Sequence, residues 1–411
     1  MQIHTGLTMA KAPVLAQGRS YLAIPGPSVI PDAVLAAMHR AAPNIYAGPL
    51  TEMMPGMMDD LRRVARTRHH VAMYTGNGHA AWEAALANVI RPGDAVLVLA
   101  TGRFGIGWGE MASGLGAEVE VMDFGRAAPM DIDRIAERLT ADSAHRIKAV
   151  LAVHVDTSTS VRNDIAGLRA ALDAADHPAL LMADCIASLG CDRFEMDDWG
   201  VDIMVTACQK GLMVPPGVSF VFFNDRAAKV RDGMERVSRY WDWQPRAEPE
   251  EFYQYHGGTA PTQHLFGLRC ALDMIHEEGI EAVWQRHARL ARAVWAACEA
   301  WSTAGSFGMN LSAREHRSHA VTALRLEPPN ATRLRDWVQE NLGLTLGIGL
   351  GMAAPGDPAW HGFFRLGHMG HVNGHMIMGM LGGIEAGLNA LAIDHGQGAL
   401  DAAARVIGGA D

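Results

Sequence analysis

The chain lacks most of the features that would set it apart from ordinary globular enzymes. Cysteine is scarce: Cys185, Cys191, Cys208, Cys270 and Cys298 are the only five in 411 residues. An odd number in a chain this long argues against a disulfide framework. No pair has the Cys-x-x-Cys spacing of a zinc knuckle, so the thiols read as small buried apolar residues. Basic residues are outnumbered, 35 against 45 acidic, for a net charge of −10. They never gather into the stripe that a phosphate backbone requires, which excludes nucleic acid as a partner. No stretch holds 18 uninterrupted apolar residues, and the opening MQIHTGLTMAKAPVLAQGRS has no apolar run of signal-peptide length. The expectation is a soluble, cytoplasmic protein with no membrane partner. Low-complexity tracts, long charge blocks and internal repeats are also missing.

What is present is a globular composition, 49% apolar and 19% charged, in a chain long enough for two domains. From about 70 to 225, short apolar runs alternate with amphipathic segments: VAMY (71–74), AVLVLA (95–100), VEVMDF (119–124), AVLAVHV (149–155), ALLMAD (179–184), DIMVTA (202–207) and VSFVFF (218–223). Runs that are apolar on both faces and separated by helical patterns predict buried strands of a mainly parallel, seven-stranded sheet, hence an α/β domain. The spacing predicts helices over 79–90 and 165–172, with a turn at Arg91–Asp94. The aromatic, polar stretch 240–259 reads as a functional or interface loop. Ile280, Val283, Trp284, His287, Leu290, Val294, Trp295 and Cys298 share one helix face. That helix is expected to cross into a smaller α+β domain holding VTALRL (321–326), a helix near 331–342, FFRLG (363–367) and a helix over 376–391. The predicted division is an N-terminal arm (1–20), a large domain (21–278) and a small one (279–411).

Three sites carry possible chemistry. Tyr74-Thr-Gly-Asn-Gly-His-Ala-Ala81 follows a strand and opens a helix, where glycines admit a ligand and free N–H groups favour an anion such as phosphate. It also fits G-x-G-x-x-A, but the nearest candidate for a ribose-binding acid, Asp94, precedes its strand, which weakens an NAD-dependent dehydrogenase reading. Asp184 ends one predicted strand and Lys210 follows another by three residues, so both reach the C-terminal rim where open α/β sheets bind ligands. A lysine near apolar surroundings gains a neutral, nucleophilic amine suited to Schiff-base chemistry, and an aspartate can pair with a protonated pyridine nitrogen. A structural ion pair between them is the competing reading.

With these residues in view, the chain resembles the class V pyridoxal-phosphate aminotransferases of fold type I, specifically the serine-glyoxylate and alanine-glyoxylate group. The segment SLGCDRFEMDDWGVDIMVTACQKGLMVPPGVSFVFF carries the likeness, joined by IPGPSVIP, TGNGHAAWEAALANVIRPGD, HVDTSTSV, GTAPTQHLFGLRCALDMI and FRLGHMG in the family's order. The resemblance implies pyridoxal 5'-phosphate as cofactor, Lys210 as its Schiff-base lysine and Asp184 as partner of the pyridine nitrogen. It further implies Gly78, His79 and Gln209 at the phosphate, Thr157 near the phenolic oxygen and Phe104 where the family stacks an aromatic ring. Thr259 corresponds to a phosphate contact supplied by the neighbouring subunit, which implies a homodimer with shared active sites. Arg365 corresponds to the arginine that takes the substrate carboxylate, with Gly26 on the substrate side.

Ser160 departs from the family, which has glycine there, and so predicts a different turn after Thr157. His256 with Gly257 and Gly258 replaces the family's run before Thr259, and Phe104 is smaller than the usual tryptophan. His368, His371 and His375 sit within eight residues but with no cysteine or carboxylate between them, so they read as packing or solvated histidines and no metal is expected. The expected activity is transamination between a small amino acid, such as serine or alanine, and glyoxylate or pyruvate. A pyridoxamine-pyruvate transaminase is the alternative within the fold. A cysteine desulfurase is disfavoured because Cys270 and Cys298, the only cysteines after Lys210, lie on helix patterns.

Overall fold

The computed structural model describes residues 15–409; the first fourteen residues of the expected arm lie outside them. In chain order the strands are β1 (Tyr21–Ala23), β2 (His70–Gly76), β3 (Ala95–Ala100), β4 (Glu118–Asp123), β5 (Ile147–Val153), β6 (Val155–Asp156) and β7 (Val161–Arg162). They continue with β8 (Leu180–Asp184), β9 (Ile203–Ala207), β10 (Gly217–Phe223), β11 (Gly308–Met309), β12 (Val321–Arg325), β13 (Leu344–Ile348) and β14 (Phe363–Gly367).

All seven predicted runs become strands of one sheet, ordered β2-β10-β9-β8-β5-β3-β4. Only β10 runs against its neighbours, pairing antiparallel with both β2 and β9. Apart from the edge strand β4, which has no buried residue, the runs are apolar on both faces because both faces are covered. Alternate residues of β5 enter different cores: Val150 and Ala152 pack with Leu97 and Leu181 on one side, Ala149 and Leu151 with Val96 and Met182 on the other. The helices Gly78–Ala87 and Arg103–Gly114 begin directly beyond the C-terminal ends of β2 and β3. Their N-termini therefore face the rim where Asp184 ends β8.

The second sheet runs β1-β13-β14-β12-β11. Strand β1, grouped with the large domain on sequence grounds, pairs in parallel with β13 instead. The helix Ile280–Trp301 joins the two cores as its apolar face predicts: Val283 and Trp284 pack in the large core, Leu290, Val294 and Cys298 in the small one. Among the described residues no helix is long and apolar enough to cross a membrane. The stretch 240–259 folds over the β2 edge, pinned by Arg246, whose guanidinium donates to Met73 O at 2.7 Å and Tyr240 O at 2.6 Å.

Candidate active site

Asp184 is the last residue of β8, held between β5 and β9 by its register with Val153 and Val205. Its carboxylate is buried. Oδ1 accepts the Ile186 N–H at 2.7 Å and Oδ2 accepts the Trp82 indole N–H at 2.9 Å. Burial pushes the carboxyl up to about 7, opposed by those two donors, raised further by Asp156 and lowered by Lys210. Two donors leave lone pairs free on each oxygen, so the site has room for one more donor, as a protonated pyridine would be.

Lys210 stands three residues beyond β9. It keeps some solvent access, yet enclosure of the amine pushes it down to about 8, with Arg365 adding to the effect and Asp184 and Cys191 opposing it. Nζ donates to the Pro25 carbonyl, not to Asp184, so the structural ion pair does not form. The backbone around it is fixed from the N-terminal segment: Ser28 Oγ donates to Lys210 O at 2.7 Å, and Ser28 N donates to Gln209 O at 2.8 Å. Gly26 lies flat against the lysine side chain, where any Cβ would overlap Cδ, Cε and Nζ.

Arg365 enters from the second sheet, between Ala323 of β12 and Gly347 of β13. It is 7% exposed. Nε donates to Ile348 O at 2.6 Å and Nη1 to Thr157 O at 2.7 Å, while Nη2 has no hydrogen-bond partner among the described residues. Burial lowers its pKa to about 10, with Asp156 opposing and Arg335 adding to the shift. The guanidinium is thus anchored on two carbonyls, which neutralise nothing, and its charge remains available to an anion.

The other predicted residues surround these three. Phe104 opens the helix Arg103–Gly114 and packs edge-on against Trp82, ring centroids 6.3 Å apart. At the helix Gly78–Ala87, Asn77 Oδ1 accepts the His79 and Ala80 N–H groups at 3.0 and 3.4 Å. The backbone N–H of His79 therefore already has a partner, and its ring lies 4.7 Å from that of Trp82. A Cβ on Gly78 would reach Ile186 Cδ1 at 2.5 Å, so the helix start packs closely on the loop after Asp184. Gln209 Oε1 is buried without a partner, the mark of a side chain built to meet something more than protein. Thr157 is buried beside Arg365. Thr259 lies on an exposed loop.

The residues present fit pyridoxal phosphate: an enclosed amine at Lys210, a buried carboxylate with spare acceptor capacity at Asp184, and an aromatic flank at Phe104. Ser160 adopts a left-handed conformation that favours glycine, with φ of +63°. Its N–H donates to Asp156 O at 2.8 Å and its hydroxyl accepts the Ala323 N–H at 3.2 Å. His256 is buried with both ring nitrogens unpartnered, and burial lowers its pKa to about 3. The three C-terminal histidines separate: His368 is buried, bonded to Thr322 Oγ1 at 2.9 Å and to His319 O at 2.8 Å, whereas His371 and His375 are exposed.

Two contributors went unread in the sequence. Trp82, which holds Asp184, is one helical turn beyond Gly78 in TGNGHAAW; its spacing was the available signal. Asp156, in HVDTSTS, is a carboxylate at the end of an apolar run, the same signal that marked Asp184.

The Aminotransferase class-V family model matches residues 20–355. The chain is 34% identical over 375 residues to the serine–glyoxylate aminotransferase of Arabidopsis thaliana, covering 90% of each chain. It is 34% identical over 361 residues to the L-aspartate–glyoxylate aminotransferase of Paracoccus denitrificans, covering 86% of this chain and 87% of that one. The crystal structure of the ureidoglycine–glyoxylate aminotransferase of Bacillus subtilis superposes with a TM-score of 0.84 at 26% identity, over 95% of this chain and 99% of that one.

Proposed function

The chain belongs to the class-V aminotransferase family and is a pyridoxal-phosphate-dependent aminotransferase, and on that basis we propose that Lys210, Asp184 and Arg365 carry amino transfer from serine, alanine or aspartate to glyoxylate or pyruvate. The observation that carries the assignment is the Lys210 amine, enclosed and held on the Pro25 carbonyl rather than on Asp184, with Asp184 and Arg365 both acting on it by charge.

The cofactor, when bound, supplies an aldehyde that condenses with amines and a pyridine ring that delocalises the electrons left by Cα deprotonation. Asp184 would accept the pyridine N–H and so keep the ring cationic. Arg365 takes the substrate carboxylate on Nη2, with Nε and Nη1 locked on Ile348 and Thr157 so that the fork does not swing. Lys210 Nζ takes the Cα proton from the amino donor, and returns one to Cα of the amino acid made in the second half-reaction. An amine lowered toward neutrality is suited to both directions near pH 8. Phe104 would cover one face of the ring, and Gly78, His79 and Gln209 would hold the phosphate. Thr157 would lie at the phenolic side, Gly26 would give the substrate its clearance beside Lys210, and Thr259 would reach the phosphate of a partner subunit in a homodimer. A domain boundary at 278–279, with β1 joined to the sheet of the smaller domain, and a cytoplasmic location complete the reading.

Glyoxylate as acceptor is supported by the three relatives, whose names share it; the donor differs among them. A matrix of serine, alanine and aspartate against glyoxylate and pyruvate, with pyridoxamine plus pyruvate as a further arm, tests the proposal. Turnover of an amino acid with glyoxylate supports it. Turnover of pyridoxamine alone would replace it with the pyridoxamine-pyruvate activity.

A further inference from the structure

We propose that Asp156 is a positioning residue for transamination: its carboxylate caps the helix Arg103–Gly114 from a different strand, and so sets Phe104 and Arg365 in one frame on either side of the cofactor. This rests on the reading of the site given above.

The helix Arg103–Gly114 begins at Gly102, which has no side chain to cap it. The first N–H groups of a helix need acceptors, and Asp156 provides one from the end of β6. Its Oδ2 accepts the N–H of Phe104 at 2.9 Å and of Gly105 at 3.3 Å. Burial raises the Asp156 pKa, and the donors from Ser158, Gly105 and Phe104 oppose that shift; in its charged form the carboxylate also meets the positive end of the helix dipole. The approach is close enough to dictate the residue opposite: a Cβ on Gly102 would lie 2.5 Å from Asp156 Cγ and 2.6 Å from Ser158 Oγ.

The other oxygen holds the loop that carries Thr157. Asp156 Oδ1 accepts the Ser158 N–H at 2.9 Å and the Ser158 hydroxyl at 2.5 Å. Ser158 Oγ in turn accepts the Arg103 N–H at 3.0 Å, which closes a ring of bonds between the loop and the helix. The Asp156 carbonyl accepts Ser160 N at 2.8 Å and Thr159 N at 3.2 Å. Thr157, inside this clamp, offers the carbonyl that takes Arg365 Nη1. One fully buried carboxylate thus has four donors, and its bonds end on the residue that flanks the ring and on the loop that anchors the substrate arginine. Asp156 also bears on the site by charge, opposing the lowering of Arg365 and adding to the raising of Asp184.

A brace that only stabilised the loop would change melting temperature and nothing at the cofactor. Asp156→Asn keeps the shape but replaces one acceptor oxygen with an amide nitrogen, which strands two of the four donors. Resolved wild-type and variant proteins are titrated with pyridoxal phosphate, and visible circular dichroism of the bound cofactor is recorded with kcat and KM. The expected result is a cofactor Kd raised about tenfold, the loss of two charge-assisted hydrogen bonds spread over the site, a visible dichroic band reduced by roughly half, and kcat lowered about tenfold. Kd, dichroic band and kcat all within twofold of wild type overturn the proposal, whatever happens to the melting temperature. Should Asp156→Asn fail to fold, Ser158→Ala removes one donor and leaves the carboxylate; it is expected to shift Kd and the dichroic band in the same direction by about two- to fivefold, and no shift overturns the proposal. Wild-type protein that takes up no pyridoxal phosphate defeats the reading of the site itself, an outcome distinct from either.

Discussion

The indole N–H of Trp82 donates to Oδ2 of Asp184 at 2.9 Å, inside a pocket where neither group meets solvent. Burial works against the Asp184 charge, and the indole is one of only two donors that support it. Trp82→Phe removes that donor and keeps the ring packed on Trp108, 6.0 Å away. A hydrogen bond to a charged group contributes about 1.5–3 kcal/mol. The expected outcome is an acidic limb of the kcat profile moved upward by about one pH unit, since 1.36 kcal/mol corresponds to one unit. A pH–rate profile of the variant checks this.

Asp184 also gives the protein without cofactor a characteristic pH dependence. Its folded pKa, about 7, lies above the ordinary 3.8, so between roughly pH 4 and 7 the folded state holds more protons than the unfolded one. Stability from this group is full below pH 4 and is lost as pH rises through 7. Asp184→Asn removes that loss, and its melting temperature at pH 8 is expected to exceed that of wild type by roughly 2 °C or more in the absence of cofactor. With pyridoxal phosphate present the order reverses, because only the wild type gains the ionic partner. Calorimetry with and without cofactor tests both statements.

Arg365→Lys retains the charge and loses the fork. Lysine cannot hold Ile348 O and Thr157 O while presenting a third nitrogen to a carboxylate. KM for donor and acceptor should both rise by about 10- to 100-fold, with cofactor uptake unchanged. Steady-state kinetics against both substrates, alongside a cofactor titration, separates the two effects.

Ser160 supports a left-handed turn that favours glycine, and offsets the strain through its hydroxyl bond to Ala323 N. Ser160→Ala keeps the strain and loses the bond, whereas Ser160→Gly loses the bond and relieves the strain. The alanine variant should be the less stable of the two by about 1 kcal/mol, as urea unfolding would measure.

The fold was legible where burial is continuous. Six of the seven strands of the large sheet announce themselves because both of their faces meet a core; the edge strand β4 has no buried residue and is marked only by Val119, Val121 and Met122. Strand β10 gave no sign of its antiparallel direction, since Val218 to Phe223 is as apolar as its parallel neighbours. Strand β1 escaped because three residues are too short to set a period, and β13 because Thr345 and Gly347 interrupt its apolar run. In the site, Lys210 and Asp184 stood out as charges at the ends of apolar runs. Arg365 did not: its meaning arises from Ile348 and Thr157, which only the fold brings to it. Asp156 and Trp82 act on groups 52 and 102 residues away, the Phe104 backbone N–H and the Asp184 carboxylate, so their local signals do not say what they hold.

The central claim is that Lys210 is the amine that holds the cofactor. The chain offers a clear background, with only Lys11, Lys148 and Lys229 as other lysines. Reduction of the pyridoxal-phosphate-loaded protein with borohydride, followed by peptide mass spectrometry, locates the bond. The label is expected on the peptide containing Lys210, with Lys148 and Lys229, both exposed, unmodified at stoichiometric cofactor. A label spread over the other lysines, or absent from Lys210, would contradict the account.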